Sequence, residues 1–248
     1  MARIIALANQ KGGVGKTTSA INLGAALAEQ GRRVLLVDID PQASLTDALG
    51  IDANALERSI YDVLTRQVPL TDVLQQAGSV TVAPATIDLA AAEMQLINEM
   101  GREQILADAL ASVANRFDDI LIDCPPSLGI LTINALTAAD GVLVPVECHY
   151  MALRGLVQLV QSIEKIQRRT NPRLQILGII PTMFNERTVH ENEVLADLHE
   201  KFPGKVMTPI RRSIKFAETA LAGKSMLEYD TNHPGGQAYR ALAREVLR

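Results

Sequence analysis

Arg3-Ile4-Ile5-Ala6-Leu7-Ala8-Asn9-Gln10-Lys11-Gly12-Gly13-Val14-Gly15-Lys16-Thr17-Thr18 is the stretch that decides the fold. An apolar, β-branched run breaks into a glycine-rich turn, and a long segment with helical spacing follows as far as Gly31. Strand, tight loop and helix are expected in that order. Glycines at 12, 13 and 15 admit positive φ, so successive backbone N–H groups can converge on an anion with no Cβ in the way. Lys16 supplies a compact positive charge for β- and γ-phosphates, Thr17 offers a hydroxyl to Mg²⁺, and the helix dipole points its positive end at the same place. Residues Lys11 to Thr18 are therefore expected to cradle the phosphates of a nucleotide. The strict pattern G-x-x-x-x-G-K-[ST] is missed by one residue, because Gln10 stands at its first glycine. Lys11 follows directly and puts an extra cation at the front of the loop. The glycines alone would suit any strand-to-helix turn; Gly15-Lys16-Thr17-Thr18 at a helix start argues for phosphate.

Outward from the loop, short apolar runs alternate with longer amphipathic ones, without repeats, low-complexity tracts or a long polar linker. Strands are expected at Arg3 to Ala8, Arg33 to Val37, Ser79 to Ala83, Asp119 to Ile122, Gly141 to Val146 and Gln175 to Ile180. The clearest helices are Thr17 to Gln30, Glu103 to Asn115, Met151 to Arg169 and Val189 to Lys201. This order implies an α/β fold, a mainly parallel twisted sheet with right-handed crossovers and helices on both faces. One domain over 1–248 is expected, with nothing ahead of the first strand to hold a helix-turn-helix. Tryptophan is absent and aromatics are 3%, so Ala, Leu, Ile and Val must fill the interior.

No run approaches the roughly 20 apolar residues of a membrane span and none reads as a signal peptide, so a cytoplasmic location is expected. Cys124 and Cys148 lack C-x-x-C spacing, and buried thiols are expected rather than a metal or disulfide site. A net charge of −4 conceals a split. Residues 1–150 carry 9 Lys+Arg against 18 Asp+Glu, a balance of −9, while residues 151–248 carry 15 against 10, a balance of +5. A locally basic face can hold a polyanion on an acidic chain, because screening confines electrostatics to about 10 Å. Solvated helix faces are the plainer account of the same charges.

Two further strand ends carry carboxylates. Val34-Leu35-Leu36-Val37 runs into Asp38-Ile39-Asp40-Pro41-Gln42, where strand alternation would set Asp38 and Asp40 on one side. Ile120-Leu121-Ile122 closes on Asp123. Ligands of parallel sheets bind beyond the carboxyl ends of the strands, so Thr17, Asp40 and Asp123 form the candidate Mg²⁺ set. Singly, each aspartate would read as a helix cap or turn former.

Together these motifs resemble the ParA/MinD family of deviant Walker A ATPases, and within it the Soj-like ParA proteins that partition chromosomes and plasmids. The match lies in Lys11 to Thr18, Asp38 to Gln42, Ile122-Asp123-Cys124-Pro125-Pro126-Ser127-Leu128-Gly129, and Pro145-Val146-Glu147-Cys148 leading to Ala152-Leu153-Arg154-Gly155-Leu156. The resemblance implies a P-loop NTPase fold, ATP and Mg²⁺ as cofactors, and a homodimer that forms on ATP binding. It implies that Lys11, Lys16 and Asp40 are catalytic, with Lys11 reaching across the dimer to the other subunit's phosphates and Asp40 polarising the attacking water. Thr17 would ligate Mg²⁺, Asp123 would hold a metal-bound water, and Asp38 would support the site from behind. Pro209 to Ser213 resembles the segment lining the adenine, which makes Pro209 and Arg211 nucleotide-binding candidates.

The resemblance further implies non-specific binding of double-stranded DNA by the ATP dimer, nucleoid association without a membrane, and slow hydrolysis stimulated by a ParB-like centromere-binding partner. Arg187, Arg212, Lys215 and Lys224 are the DNA-binding candidates, and Arg211 stands open between base and DNA. The family often shows Pro-Arg-Asn where this chain has Arg211-Arg212-Ser213, and Glu where it has Arg154. Other readings share the loop. A MinD-like membrane switch would need a C-terminal anchor, whereas Gln237 to Arg248 is short and is expected to pack on the domain. An iron–sulfur relative would need cysteines at a dimer face. A positioning ATPase for a non-DNA cargo would carry the same chain, and an ATP-using ligase would have no use for Lys11.

Overall fold

The computed structural model describes residues 2–149 and 152–248. Among them, seven strands form one sheet: β1 (Arg3–Leu7), β2 (Val34–Asp38), β3 (Gln75–Ala77), β4 (Val80–Ala83), β5 (Asp119–Asp123), β6 (Gly141–Glu147) and β7 (Gln175–Thr182). Their order is β3-β4-β2-β5-β1-β6-β7, parallel throughout except for the antiparallel pair β3–β4. Eleven α-helices accompany it: α1 (Lys16–Ala28), α2 (Ser44–Ala48), α3 (Ile60–Arg66), α4 (Leu89–Leu96), α5 (Ile105–Ala111), α6 (Ile130–Ala138), α7 (Ala152–Arg169), α8 (Val189–Lys201), α9 (Lys215–Leu221), α10 (Met226–Tyr229) and α11 (Pro234–Val246). None of these helices is long and apolar enough to cross a membrane.

Alternation along the strands divides the interior in two. Leu35, Val37, Ile120, Ile122, Val142 and Val144 face one core, covered by α3 to α8; Ile5, Leu7, Leu36, Leu121 and Leu143 face the other, covered by α1, α2, α10 and α11. Every residue of β2 and β5 is buried, which is why those strands read as unbroken apolar runs ending in an acid. Gly31 ends the first helix as its sequence suggests, at φ 80° with its N–H donated to Ala28 O at 2.9 Å. Leu242 and Val246 of α11 are buried against the second core, in keeping with the packing expected of the C-terminal segment.

Several boundaries differ from expectation. The run expected from Ser79 begins at Val80 and is preceded by the unforeseen β3. Helix α5 is shorter than Glu103 to Asn115, and α11 starts earlier than Gln237, at Pro234, where the His233 side chain accepts the Gly235 N–H. Met151, where α7 was expected to begin, lies outside the described residues, and α7 starts at Ala152. Beyond β7, the 205–212 segment hydrogen-bonds along that strand's free side, with Ile179 bridged to Val206 and Phe184 to Arg211.

Candidate nucleotide site

The loop after β1 is pinned at both ends. Asn9 is buried; its Nδ2 donates to Pro145 O on β6 at 2.7 Å, and its Oδ1 accepts the Lys11 N–H at 3.0 Å. Val14 is buried, and its carbonyl accepts the Thr182 hydroxyl from the end of β7 at 2.8 Å. Gly13 and Gly15 take φ 72° and 83°, so a left-handed backbone is needed at two of the three glycines; Gly12 keeps an ordinary φ, which corrects the expectation for that position. Gly15 is also the N-cap of α1, so the unpaired N–H groups of the first turn face the loop. Lys16 opens the helix with only 6% of its surface exposed, and Thr17 and Thr18 follow, half-buried.

The aspartates divide by role. Asp38 lies opposite Asp123 in the β2–β5 register and both are fully buried. Asp38 has its oxygens filled: Oδ1 accepts the Asp40 N–H at 3.1 Å, and Oδ2 accepts the Thr46 N–H at 3.0 Å and hydroxyl at 2.7 Å. The Thr46 hydroxyl in turn accepts the Ala85 N–H at 2.9 Å, so Asp38 braces the turn that presents Asp40. Strand alternation does not relate the two acids, because β2 ends at Asp38 and Asp40 lies past it in the turn. Asp40 is half-buried and accepts the Gln42 N–H at 3.0 Å.

Asp123 is the unsatisfied member. Its Oδ2 accepts the Thr17 hydroxyl at 2.6 Å, but its buried Oδ1 has no hydrogen-bond partner. Burial pushes the Asp38 carboxyl up to about 6, and it drives Asp123 well above the usual carboxylate range, with the charge of Asp38 adding to the rise. The Thr17 hydrogen bond and the Lys16 charge work the other way on Asp123. Two buried acids side by side, one with an orphaned oxygen, fit a site completed by an added cation. A hydroxyl and a carboxylate are hard oxygen donors of the kind Mg²⁺ accepts while keeping several waters. Among the described residues no cluster of three or more His, Cys, Asp or Glu forms a protein-only cage, which suits an ion held partly by phosphates.

Lys11 is paired within its own chain. Lys11 Nζ lies 2.6 Å from Glu147 Oε2 on its own chain, and Arg212 lies 3.6 Å from Glu147 Oε1. Beside the loop, a cavity of about 160 Å³ is lined by Gly15, Thr18, Thr182, Met183, Arg211 and Arg212 among others, with Phe216 and Tyr239 as its aromatic wall. Pro209 is not part of that lining, although its neighbours Ile210 and Arg211 are. Met183 holds φ 53°, a strained conformation for a side-chain-bearing residue, where the chain turns out of β7 beside this cavity.

The basic candidates are more neutralised than the sequence suggests. Arg211 pairs with Glu186, Arg212 with Glu147, and Lys215 with Asp230 at 2.6 Å. Arg187 and Lys224 are exposed and have no ion pair among the described residues; Lys224 borders a small cavity shared with Thr17 and Thr18. The side chain of Arg154 lies outside what is described. Cys124 and Cys148 are free and buried, and burial raises both thiols, Cys148 to about 12, so neither is a reactive thiolate. Glu147, Thr46, Thr182 and Met183 were given no role by sequence; the signal for the first, third and fourth was their position at a strand end.

A glycine-rich loop at the carboxyl end of a central parallel strand, a lysine-led helix behind it, and an acid closing the neighbouring strand define a P-loop nucleotide-binding protein. A family model described as an AAA domain matches residues 2–176, and one described as 4Fe-4S iron sulfur cluster binding proteins of the NifH/frxC family matches residues 129–248. The sporulation initiation inhibitor protein Soj of Bacillus subtilis is 45% identical, covering 99% of this chain and 98% of that protein. The chromosome partitioning protein ParA of Caulobacter vibrioides is also 45% identical, over 99% of this chain and 94% of that one. A crystal structure of a Mycobacterium smegmatis protein named cobyrinic acid a,c-diamide synthase, with bound ADP and magnesium, is 44% identical with a TM-score of 0.89, covering 100% of this chain and 95% of that one. The chain belongs to the Soj/ParA family of P-loop ATPases.

Proposed function

We propose that this protein is a Mg²⁺-dependent ATPase of the partition type: its ATP-bound form pairs as a sandwich dimer, coats DNA without sequence preference, and is released when a ParB-like partner stimulates hydrolysis. The observation that carries the ATPase step is the Thr17–Asp123 pair beside the loop, with one Asp123 oxygen left for a metal-bound water. Thr17 and Asp123 would hold the ion, which would supply positive charge toward the phosphates when bound. Lys16 and the α1 N-terminus bind the same phosphates, Asp40 orients the water, and Lys11 serves the partner subunit's phosphates. Phosphoryl transfer asks for positioning and charge rather than covalent chemistry, so hydrolysis stays slow until the partner completes the geometry.

The DNA step rests on the basic C-terminal part and on likeness to partition proteins. The protein works in the cytoplasm, on the nucleoid. Retention on random-sequence DNA with ATP, with ADP and for Lys16→Ala tests the switch; equal retention in all three would refute it. Asp40→Ala should still bind ATP and DNA while hydrolysis stops.

Internal pairing of Arg211, Arg212 and Lys215 with acids favours a second reading, a positioning ATPase whose cargo track is not DNA. ATP-dependent assembly without DNA retention would select it. The name carried by the M. smegmatis structure would come into play only if ATP turnover depended on an added carboxylic acid substrate.

A further inference from the structure

Glu147 stands where the phosphate side and the base side of the site meet. It closes β6 opposite Thr182 of β7, and Asn9 is hydrogen-bonded two residues earlier at Pro145, so its backbone is held by the sheet. Its side chain is 26% exposed, and each oxygen faces a different cation: Oε2 the ammonium of Lys11, Oε1 the guanidinium of Arg212. Lys11 belongs to the phosphate loop, and Arg212 lines the neighbouring cavity. A single carboxylate therefore ties the two halves together. The Lys11 backbone is fixed by Asn9, while its side chain is 48% exposed. One ammonium cannot sit at 2.6 Å from its own Glu147 and also on another subunit's phosphates. The lysine–carboxylate contact also lowers the Glu147 pKa, so the carboxylate stays ionised near neutral pH.

We infer that Glu147 is a positioning residue that keeps Lys11 and Arg212 on their own subunit, so that pairing of two copies starts with loss of the Lys11–Glu147 contact. This rests on the dimer reading given above. Triphosphate competes with Glu147 for the same cations, and the carboxylate sets how much nucleotide is needed before Lys11 turns outward. A partly exposed ion pair is weak and salt-screened, which makes Glu147 a threshold rather than a lock.

Sedimentation velocity of the full chain, titrated with a non-hydrolysable ATP analogue and Mg²⁺, measures that threshold. For Glu147→Gln, which keeps shape and removes charge, the analogue concentration giving half dimer should fall about two- to fivefold at low salt. The difference from wild type should close at high salt, which a purely structural effect of the substitution would not do. An unchanged or higher half-point at low salt, or a gap that persists at high salt, overturns the role of Glu147. Wild type that stays monomeric at saturating analogue overturns the dimer reading itself, and the two failures are told apart by wild type alone.

Discussion

Asp123→Asn should make the nucleotide-free protein more stable while removing its response to Mg²⁺. The wild-type carboxylate is fully buried, lies in register with Asp38, and has one oxygen without a donor. Burial and the Asp38 charge both raise its pKa, so the folded protein holds the Asp123 proton more tightly than the unfolded chain does. Stability from this group is therefore present at low pH and is lost as pH rises through the folded-state pKa. Asp38, raised to about 6, acts in the same sense. Asp118, Glu147, Asp230 and Glu29 are lowered, so their contribution is already in place above the ordinary carboxylate range and does not offset the loss near neutrality. An unsatisfied buried group of this kind costs on the order of 1–3 kcal/mol. Asparagine keeps an acceptor for the Thr17 hydroxyl and ends the repulsion with Asp38; its Nδ2 takes the place of the unpartnered Oδ1, and a neutral group left unpaired costs less than a charged one. Urea unfolding without nucleotide should show the variant about 1–2 kcal/mol more stable at alkaline pH, the advantage shrinking at acidic pH as wild type takes up its proton. The variant should also lose the Mg²⁺-dependent part of the stabilisation by an ATP analogue. A variant less stable than wild type at both pH values would refute the reasoning, because it would mean that the ionised carboxylate has adequate partners in the empty site.

Other outcomes test the frame around the site. Gly15→Ala places a Cβ only 3.7 Å from Thr182 Cγ2, an ordinary contact, so its cost is the left-handed backbone at φ 83°, about 1–2 kcal/mol, with a loss of ATP affinity read by calorimetry; wild-type affinity and stability would overturn it. Gly24→Ala should destabilise α1 even though alanine is the better helix former by about 1 kcal/mol, because its Cβ would sit 2.7 Å from the fully buried Leu36; chemical unfolding gives the sign. Tyr239→Phe keeps the ring but breaks the buried Ser19–Tyr239 hydrogen bond of 3.1 Å, and should lower stability by about 1–2 kcal/mol in the same assay.

The parts of the site that were legible are those written in consecutive residues. The loop and α1 follow from glycines between an apolar strand and a helical run, and Asp123 follows from an acid closing a buried strand. What stayed hidden depends on partners far along the chain. Arg212 meets Glu147 and Arg211 meets Glu186 only because the segment after α8 returns to lie along β7, so local charge overstated the free positive face. Asp38 was placed by strand period, yet its role comes from the turn to Thr46 that follows the strand's end. Strand β3 carries Gln75 and Gln76 and no apolar period; it exists because the outer side of β4 needs hydrogen-bond partners. Some missed elements did have signals: Ser59 with Asp62 and Ser225 with Glu228 are capping boxes that start α3 and α10, and Pro234 marks the first position of α11.

The two margins of the sheet bear on how such a chain can meet copies of itself. On one side lies β3, three residues long, largely exposed and turned against the direction of its neighbours. On the other, β7 has its outward backbone groups taken up by the 205–212 segment, with Ile179 donating to Lys205 O at 2.7 Å and Ile210 donating to Pro181 O at 2.7 Å. Neither margin offers a long open ladder on which a second sheet could grow. A protein proposed to cycle between single and paired forms many times is thereby kept from the one kind of self-association that does not readily reverse. On that proposal, contact falls to the polar face around Lys11, where a small molecule would make it and its hydrolysis would undo it.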